Sequence, residues 1–198
     1  HTPSPLYGTA MEELGRWLTY EALRDWLPHQ GVEVETPLGA AARGQVVDGS
    51  IPLLAVPLLR GGLGLWQGAR QVLPTACVAH VALDAAEEGP PRWILDALPE
   101  QIGPRVGVLL FLPCIATGQS TLALLERLGR LGVNGDRLRL ITALASAPGL
   151  RTIGEHHTDL TIYCGCIDPD LDATGHVLPG IGAVEERSYG LAPSGCLG

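Results

Sequence analysis

Five apolar runs of strand length, at residues 51–59, 77–83, 106–111, 138–145 and 160–167, constrain this chain more than any other feature of it. A strand with one wet face alternates apolar and polar residues. These runs are apolar at nearly every position, so both of their faces must be covered. The segments between them read differently. Over residues 9–27, Leu14, Trp17, Leu18, Ala22 and Trp26 recur at helical spacing until Pro28 stops the pattern. Residues 63–73 and 120–131 also read as helices, and a short helix fits between the last two strands. Strand and helix in alternation, with buried strands, predict an α/β fold with a mostly parallel central sheet and helices on both faces. In such sheets ligands sit beyond the carboxyl ends of the strands. The loops at 60–64, 84–88 and 113–119 are therefore the candidate site loops.

Outside that frame, residues 32–36 alternate like a short strand, and Pro37-Leu38-Gly39 turns it. Residues 84–104 are rich in Pro, Gly and Glu and read as an excursion from the core. No repeat or linker divides the chain. Residues 1–190 are expected to form one domain, with 191–198 as a C-terminal tail. The chain opens on His1 rather than Met, which implies processing or a leader left out of the sequence.

Composition narrows the function. The 198 residues carry a net charge of −8 with pI ≈ 5.1, which argues against nucleic-acid binding through a broad basic face. All 13 basic residues are arginine, so Schiff-base and Walker-lysine chemistry are excluded. No apolar run reaches the roughly 18 residues of a transmembrane segment. The 5 cysteines contain no C-x-x-C pair. Cys164 and Cys166 share a strand face, and His156–His157 is the nearest pair that could complete a zinc site. The other reading is reduced core thiols of an intracellular protein, and no metal site is assigned.

The run Leu112-Pro113-Cys114-Ile115-Ala116-Thr117-Gly118-Gln119-Ser120 leads from the strongest strand into a helix. A loop in that place can offer backbone N–H groups to a phosphate, helped by the helix N-terminus and by the Thr117 and Ser120 hydroxyls. Simple helix capping is the plainer reading of the same residues.

This loop resembles the D-P-M-L-A-T-G-G-S loop of uracil phosphoribosyltransferases. Further segments resemble that family in the same order: Leu14-Gly15-Arg16-Trp17-Leu18-Thr19-Tyr20-Glu21-Ala22, Val34-Glu35-Thr36-Pro37-Leu38-Gly39, Pro57-Leu58-Leu59-Arg60-Gly61-Gly62-Leu63-Gly64, Leu98-Pro99, Ile167-Asp168 and Val177-Leu178-Pro179-Gly180-Ile181-Gly182. The resemblance covers roughly residues 9–190 and is nearest in spelling to the cyanobacterial and plastid branch. It implies a type I phosphoribosyltransferase fold with a small hood, usually a homodimer, in the cytoplasm or a plastid stroma. The implied reaction joins uracil to 5-phosphoribosyl diphosphate with Mg²⁺, giving UMP and diphosphate in pyrimidine salvage. The implied donor-binding residues are Arg60, Ala116, Thr117, Gly118, Gln119 and Ser120. Uracil would be read by the backbone at Val177, Gly182, Ala183 and Val184.

The sequence departs from the family where charge is expected. Leu112 stands for the Asp that grips the ribose diol. Ala85 stands for the diphosphate-binding Arg of the family's R-D-E, and Ala97 for a basic residue before the downstream Leu-Pro. Ala183 stands for the Asp facing donor and metal, Gln119 for a phosphate-loop Gly, Glu185 for a Gly, and His176 for a Tyr. A hydrogen bond to a charged group contributes about 1.5–3 kcal/mol, so four losses amount to roughly 6–12 kcal/mol of transition-state stabilisation. On this count the chain reads as a catalytically impaired homologue with no assigned catalytic residue. It would serve as a structural or regulatory subunit of a larger assembly, with UMP or phosphate as possible ligand and Mg²⁺ relevant only if it is active. The alternative reading is an active uracil phosphoribosyltransferase.

Overall fold

The computed structural model describes residues 2–84 and 89–190. The expected tail at 191–198 and Ala85 lie outside the described residues.

At the centre stand five parallel strands in the order β4-β3-β7-β8-β9. They are β3 (Leu53–Pro57), β4 (Cys77–Val78), β7 (Gly107–Ile115), β8 (Leu138–Ser146) and β9 (Thr161–Asp168). The near-continuous apolar sequence of β3, β7 and β8 follows from cover on both faces, whereas β4 and β9, expected to be covered alike, are edge strands and stay largely exposed. On one face Leu54, Val56, Val108, Leu110, Leu112, Leu138 and Leu140 pack under Leu124, Leu125 and Leu128 of α3 (Gln119–Arg130) and Ile153 of α4 (Ala147–Gly154). On the other, Ala55, Leu109, Phe111, Ile141 and Ala143 meet α1 (Ser4–Trp26) and α2 (Gly62–Ala69). Adjacent residues of one strand thus enter different cores, as the period of two demands.

Helix α1 starts before residue 9, because Pro5 falls in its first turn, where a missing N–H costs nothing. It ends at Trp26, with Leu27 extended ahead of Pro28. Helices α1 and α2 touch backbone to backbone. A Cβ on Gly15 would stand 2.0 Å from the Leu65 carbonyl oxygen, and one on Gly68 only 1.6 Å from that of Glu12.

Three ribbons surround the sheet. The strand expected at 32–36 is β1 (His29–Glu35), paired antiparallel with β2 (Ala41–Val47) and exposed along most of its length. The run at 77–83 divides. Its first residues form β4, and after Ala79-His80 the chain leaves the sheet as β5 (Val81–Asp84), which pairs antiparallel with β6 (Arg92–Asp96). The excursion at 84–104 therefore contains a strand. The third ribbon, β10 (Asp170–Leu171) with β11 (Val177–Leu178), supplies the hood and leads into α5 (Val184–Tyr189). No helix among the described residues is long and apolar enough to cross a membrane.

Candidate functional site

The carboxyl ends of β7 and β8, the start of α3, the β10–β11 turn and the loop before α5 enclose two cavities. One, of about 680 Å³, is lined by the whole run from Leu112 to Thr121 together with Thr174, Gly175 and His176. The second, of about 310 Å³, is lined by Val177, Ile181, Gly182, Ala183 and Val184. Cys114, Ala116, Gly175 and His176 line both, so the two form one continuous cleft.

The phosphate-type loop is built from its turn outward. Gly118 has φ of +86° and stands as the N-cap of α3, a backbone that side chains rarely tolerate. The Leu122 N–H bonds the Gly118 carbonyl at 2.9 Å, so the Gln119, Ser120 and Thr121 N–H groups precede the helical ladder. Thr117 Oγ1 accepts only a long contact from the Gln119 N–H, at 3.5 Å.

Ser146, not singled out in the sequence, holds this loop from behind. Fully buried at the end of β8, its hydroxyl donates to the Ala116 carbonyl at 2.5 Å and accepts from the Gly149 N–H at 2.9 Å. One side chain thus caps α4 and ties it to the loop. Contact is close on both sides: a Cβ on Gly149 would lie 2.1 Å from the Ala116 carbonyl oxygen, and one on Gly118 would lie 2.9 Å from that of Gly149.

The hood turn closes over the loop, with the Gly175 backbone near Thr117. Asp172 organises this turn, its Oδ1 accepting from the Thr174 N–H, the Thr174 hydroxyl and the His176 N–H at 2.7–2.9 Å. These hydrogen bonds, led by that of the His176 backbone, lower the Asp172 pKa from 3.8 to about 2. The folded value lies below the unfolded one, so this stabilisation is fully present above about pH 4. It is lost as pH falls through about 2. Amide NMR shifts of Thr174 and His176 are expected to titrate with a midpoint near 2, and Asp172→Asn should remove the titration. A midpoint at the ordinary 3.8 would mean that the turn's hydrogen bonds do not hold the carboxylate.

The loop from Val177 to Val184 keeps a defined course. Asp168, buried at the end of β9, accepts from the Gly180 N–H at 2.8 Å, and Arg187 donates to the Ile181 carbonyl at 2.6 Å while lying over the Tyr7 ring. Gly180 (φ +70°) fits there because a Cβ would meet the Val177 carbonyl oxygen at 2.1 Å.

Among the residues named from the sequence, Ala116, Thr117, Gly118, Gln119 and Ser120 line the first cavity, and Val177, Gly182, Ala183 and Val184 the second. Leu112 also lines the first, but it is 1% exposed and packed into the core. Ala97 is exposed and lines neither cavity. Arg60 lies beside the cleft rather than along its wall. Its N–H and guanidinium bind the Glu185 carboxylate at 2.7–3.1 Å, and its carbonyl accepts from the Tyr189 hydroxyl at 3.0 Å.

Among the described residues neither cavity has a carboxylate in its lining, and no three His, Cys, Asp or Glu side chains gather as a metal site. The described residues lining the two cavities do not fit a magnesium ion held by the protein. Cys164 and Cys166 are free thiols, and burial pushes the Cys114 thiol up to about 11.

Comparison with known proteins gives the arrangement its relatives. The family model for uracil phosphoribosyltransferase matches residues 1–191. The protein named uracil phosphoribosyltransferase in Synechococcus elongatus is 44% identical over 190 residues, 96% of this chain and 87% of its own. Its namesake in Nicotiana tabacum is 35% identical, over 96% of this chain and 84% of its own. Among solved structures, the AQ2163 protein from Aquifex aeolicus superposes with a TM-score of 0.82 at 29% identity, covering 97% of this chain and 89% of that one. A hypoxanthine phosphoribosyltransferase from Staphylococcus aureus shares the fold, with a TM-score of 0.52 at 16% identity over 81% of this chain and 74% of that one. A phosphate-type loop, a hood and a parallel sheet in this order, with relatives matched nearly end to end, admit one conclusion: the chain belongs to the uracil phosphoribosyltransferase family and has the type I phosphoribosyltransferase fold.

Proposed function

We propose that the chain joins uracil to 5-phosphoribosyl diphosphate, releasing UMP and diphosphate, and so acts in pyrimidine salvage. The continuous cleft between the loop Ala116–Ser120 and the loop Val177–Val184 carries this reading, in a chain whose relatives bear the enzyme's name. The N–H groups of the first turn of α3, with the Thr117 and Ser120 hydroxyls, would hold the 5-phosphate. Backbone groups of Val177, Gly182, Ala183 and Val184 would read the uracil edges, a task that survives changes of side chain. The N1 nitrogen of uracil bonds to the ribose C1, diphosphate leaves with the electron pair of the broken C–O bond, and the N1 proton passes to solvent. Catalysis then rests on holding the two reactants in line.

Leu112 and Ala183 favour a second reading, because an apolar, buried Leu112 offers nothing to a ribose diol. In that reading the chain binds UMP without turnover and serves as a subunit of a larger assembly. Incubation of the purified protein with uracil, donor and Mg²⁺ separates the two. UMP is expected to form, more slowly than with a fully charged donor site. UMP binding without detectable synthesis would reverse the order of the readings. A homodimer and a cytoplasmic or plastid location accompany the first reading as expectations.

A further inference from the structure

Arg60 stands beside the cleft, and its charge is already matched. The loop that carries it packs on the site: a Cβ on Gly61 would stand 2.7 Å from Pro113, which lines the larger cavity, and 3.5 Å from Val184, which lines the smaller. Glu185 reaches across from the first turn of α5 and meets Arg60 three times. Its Oε1 accepts from the Arg60 backbone N–H at 3.0 Å, and its Oε2 accepts from Nε at 3.1 Å and Nη2 at 2.7 Å. Tyr189, one turn further along α5, donates to the Arg60 carbonyl. A carboxylate that engages both a backbone N–H and a guanidinium takes up the donors with which a phosphate oxygen would bond.

We propose that Glu185 acts as an internal anion that competes with a diphosphate group for Arg60, making it a specificity-determining residue that weakens diphosphate binding at this cleft. The inference rests on the proposed reading of the cleft as a phosphoribosyl site. The pair is half exposed, with side chains 57% and 39% accessible, so it opens at modest cost and moderates binding rather than blocking it. A diphosphate must displace one carboxylate to reach Arg60 and then share the space with it. A ligand bearing a single phosphate on the loop Ala116–Ser120 avoids that competition.

Inorganic diphosphate is the probe, titrated by calorimetry into the full chain and into Glu185→Gln, Arg60→Gln and the double variant. Glu185→Gln is expected to bind diphosphate roughly three- to tenfold more tightly than the unaltered protein. Arg60→Gln should erase that gain when the two are combined. Tyr189→Phe, which loosens the same contact and keeps every charge, should give a smaller gain of the same sign and serves if Glu185→Gln folds poorly. Equal or weaker binding by both Glu185→Gln and Tyr189→Phe overturns the proposal. So does a gain that persists in the double variant, since it would reflect only the loss of a negative charge. Formation of UMP without any such gain refutes the competition alone. A gain that Arg60→Gln erases, in a chain that never forms UMP, refutes the proposed reaction alone.

Discussion

Gly149→Ala is expected to lower the affinity for UMP about 100-fold, because the new methyl group has no room that does not belong to the phosphate-type loop. Its carbon would stand 2.1 Å from the Ala116 carbonyl oxygen and 3.0 Å from both the Ala116 carbonyl carbon and Ser146 Oγ. The first two are backbone atoms and cannot rotate aside, so either α4 or the loop must move by about 1 Å. A shift of that size in a positioning element is worth about two orders of magnitude in function. The Ser146 bond to the Ala116 carbonyl would be strained by the same movement. Gly154→Ala in the same helix is the control, since a Cβ there meets nothing within 4 Å. It should gain about 0.5–1 kcal/mol of stability from reduced backbone freedom and leave UMP binding alone. Calorimetric titration with UMP and a denaturant melt measure both effects. If Gly149→Ala bound UMP within roughly twofold of the parent, the loop would not depend on α4 for its position.

Gly68→Ala carries the larger cost in stability, expected at about 3 kcal/mol or more. Overpacking a core by a methyl group usually costs about 1–3 kcal/mol, because side chains can shift to make room. Here the obstacle is the Glu12 carbonyl oxygen at 1.6 Å, with the Arg16 nitrogen at 3.0 Å, so the two helices themselves must separate. Separation would uncover Leu65, Trp66 and Met11, which are buried between them and the sheet. Gly15→Ala, facing the Leu65 carbonyl at 2.0 Å, should behave alike. Because both substitutions force the same separation, the double variant should be destabilised by less than their sum. Urea unfolding followed by tryptophan fluorescence reads the loss, and a cost below about 1 kcal/mol would mean that the helices do not meet in this way.

The central sheet was legible because its inner strands β3, β7 and β8 are buried on both faces, and burial writes itself as apolar residues. The ribbons were legible only in part, for the same reason. Strand β2 escaped because Ala41, Ala42, Arg43, Gly44 and Gln45 have no buried face to fill, so no alternation marks them. The run at 77–83 looked like one strand although it serves two sheets. Ala79 bonds to Ala55 in the parallel sheet while His80 accepts from Ala97 beside the β5–β6 ribbon, and apolar continuity hides the handover.

At the site, the phosphate-type loop was legible because its chemistry is local, with a strand, a positive-φ glycine and a helix start in nine residues. Arg60 was legible as a cation, but its bond to a carboxylate 125 positions away was not. Ser146 left a faint signal. A serine ahead of Ala147-Pro148-Gly149 is a good helix cap, but nothing local shows that its proton goes to Ala116.

The glycine crossing of α1 and α2 also bears on where the protein can yield. Peptide groups in direct contact leave no side chains to change rotamer and no gap to close, so that side of the sheet has little freedom to slide. The other side is fastened differently. The loop at Ala116 is tied by the Ser146 hydroxyl, the hood turn by the Asp172 carboxylate, and the loop at Gly180 by Asp168 and Arg187. These are side-chain fastenings, which can lengthen without parting backbone from backbone. Admission and release of a nucleotide should therefore be motions of α4 and the hood, swinging against a back wall that stays still.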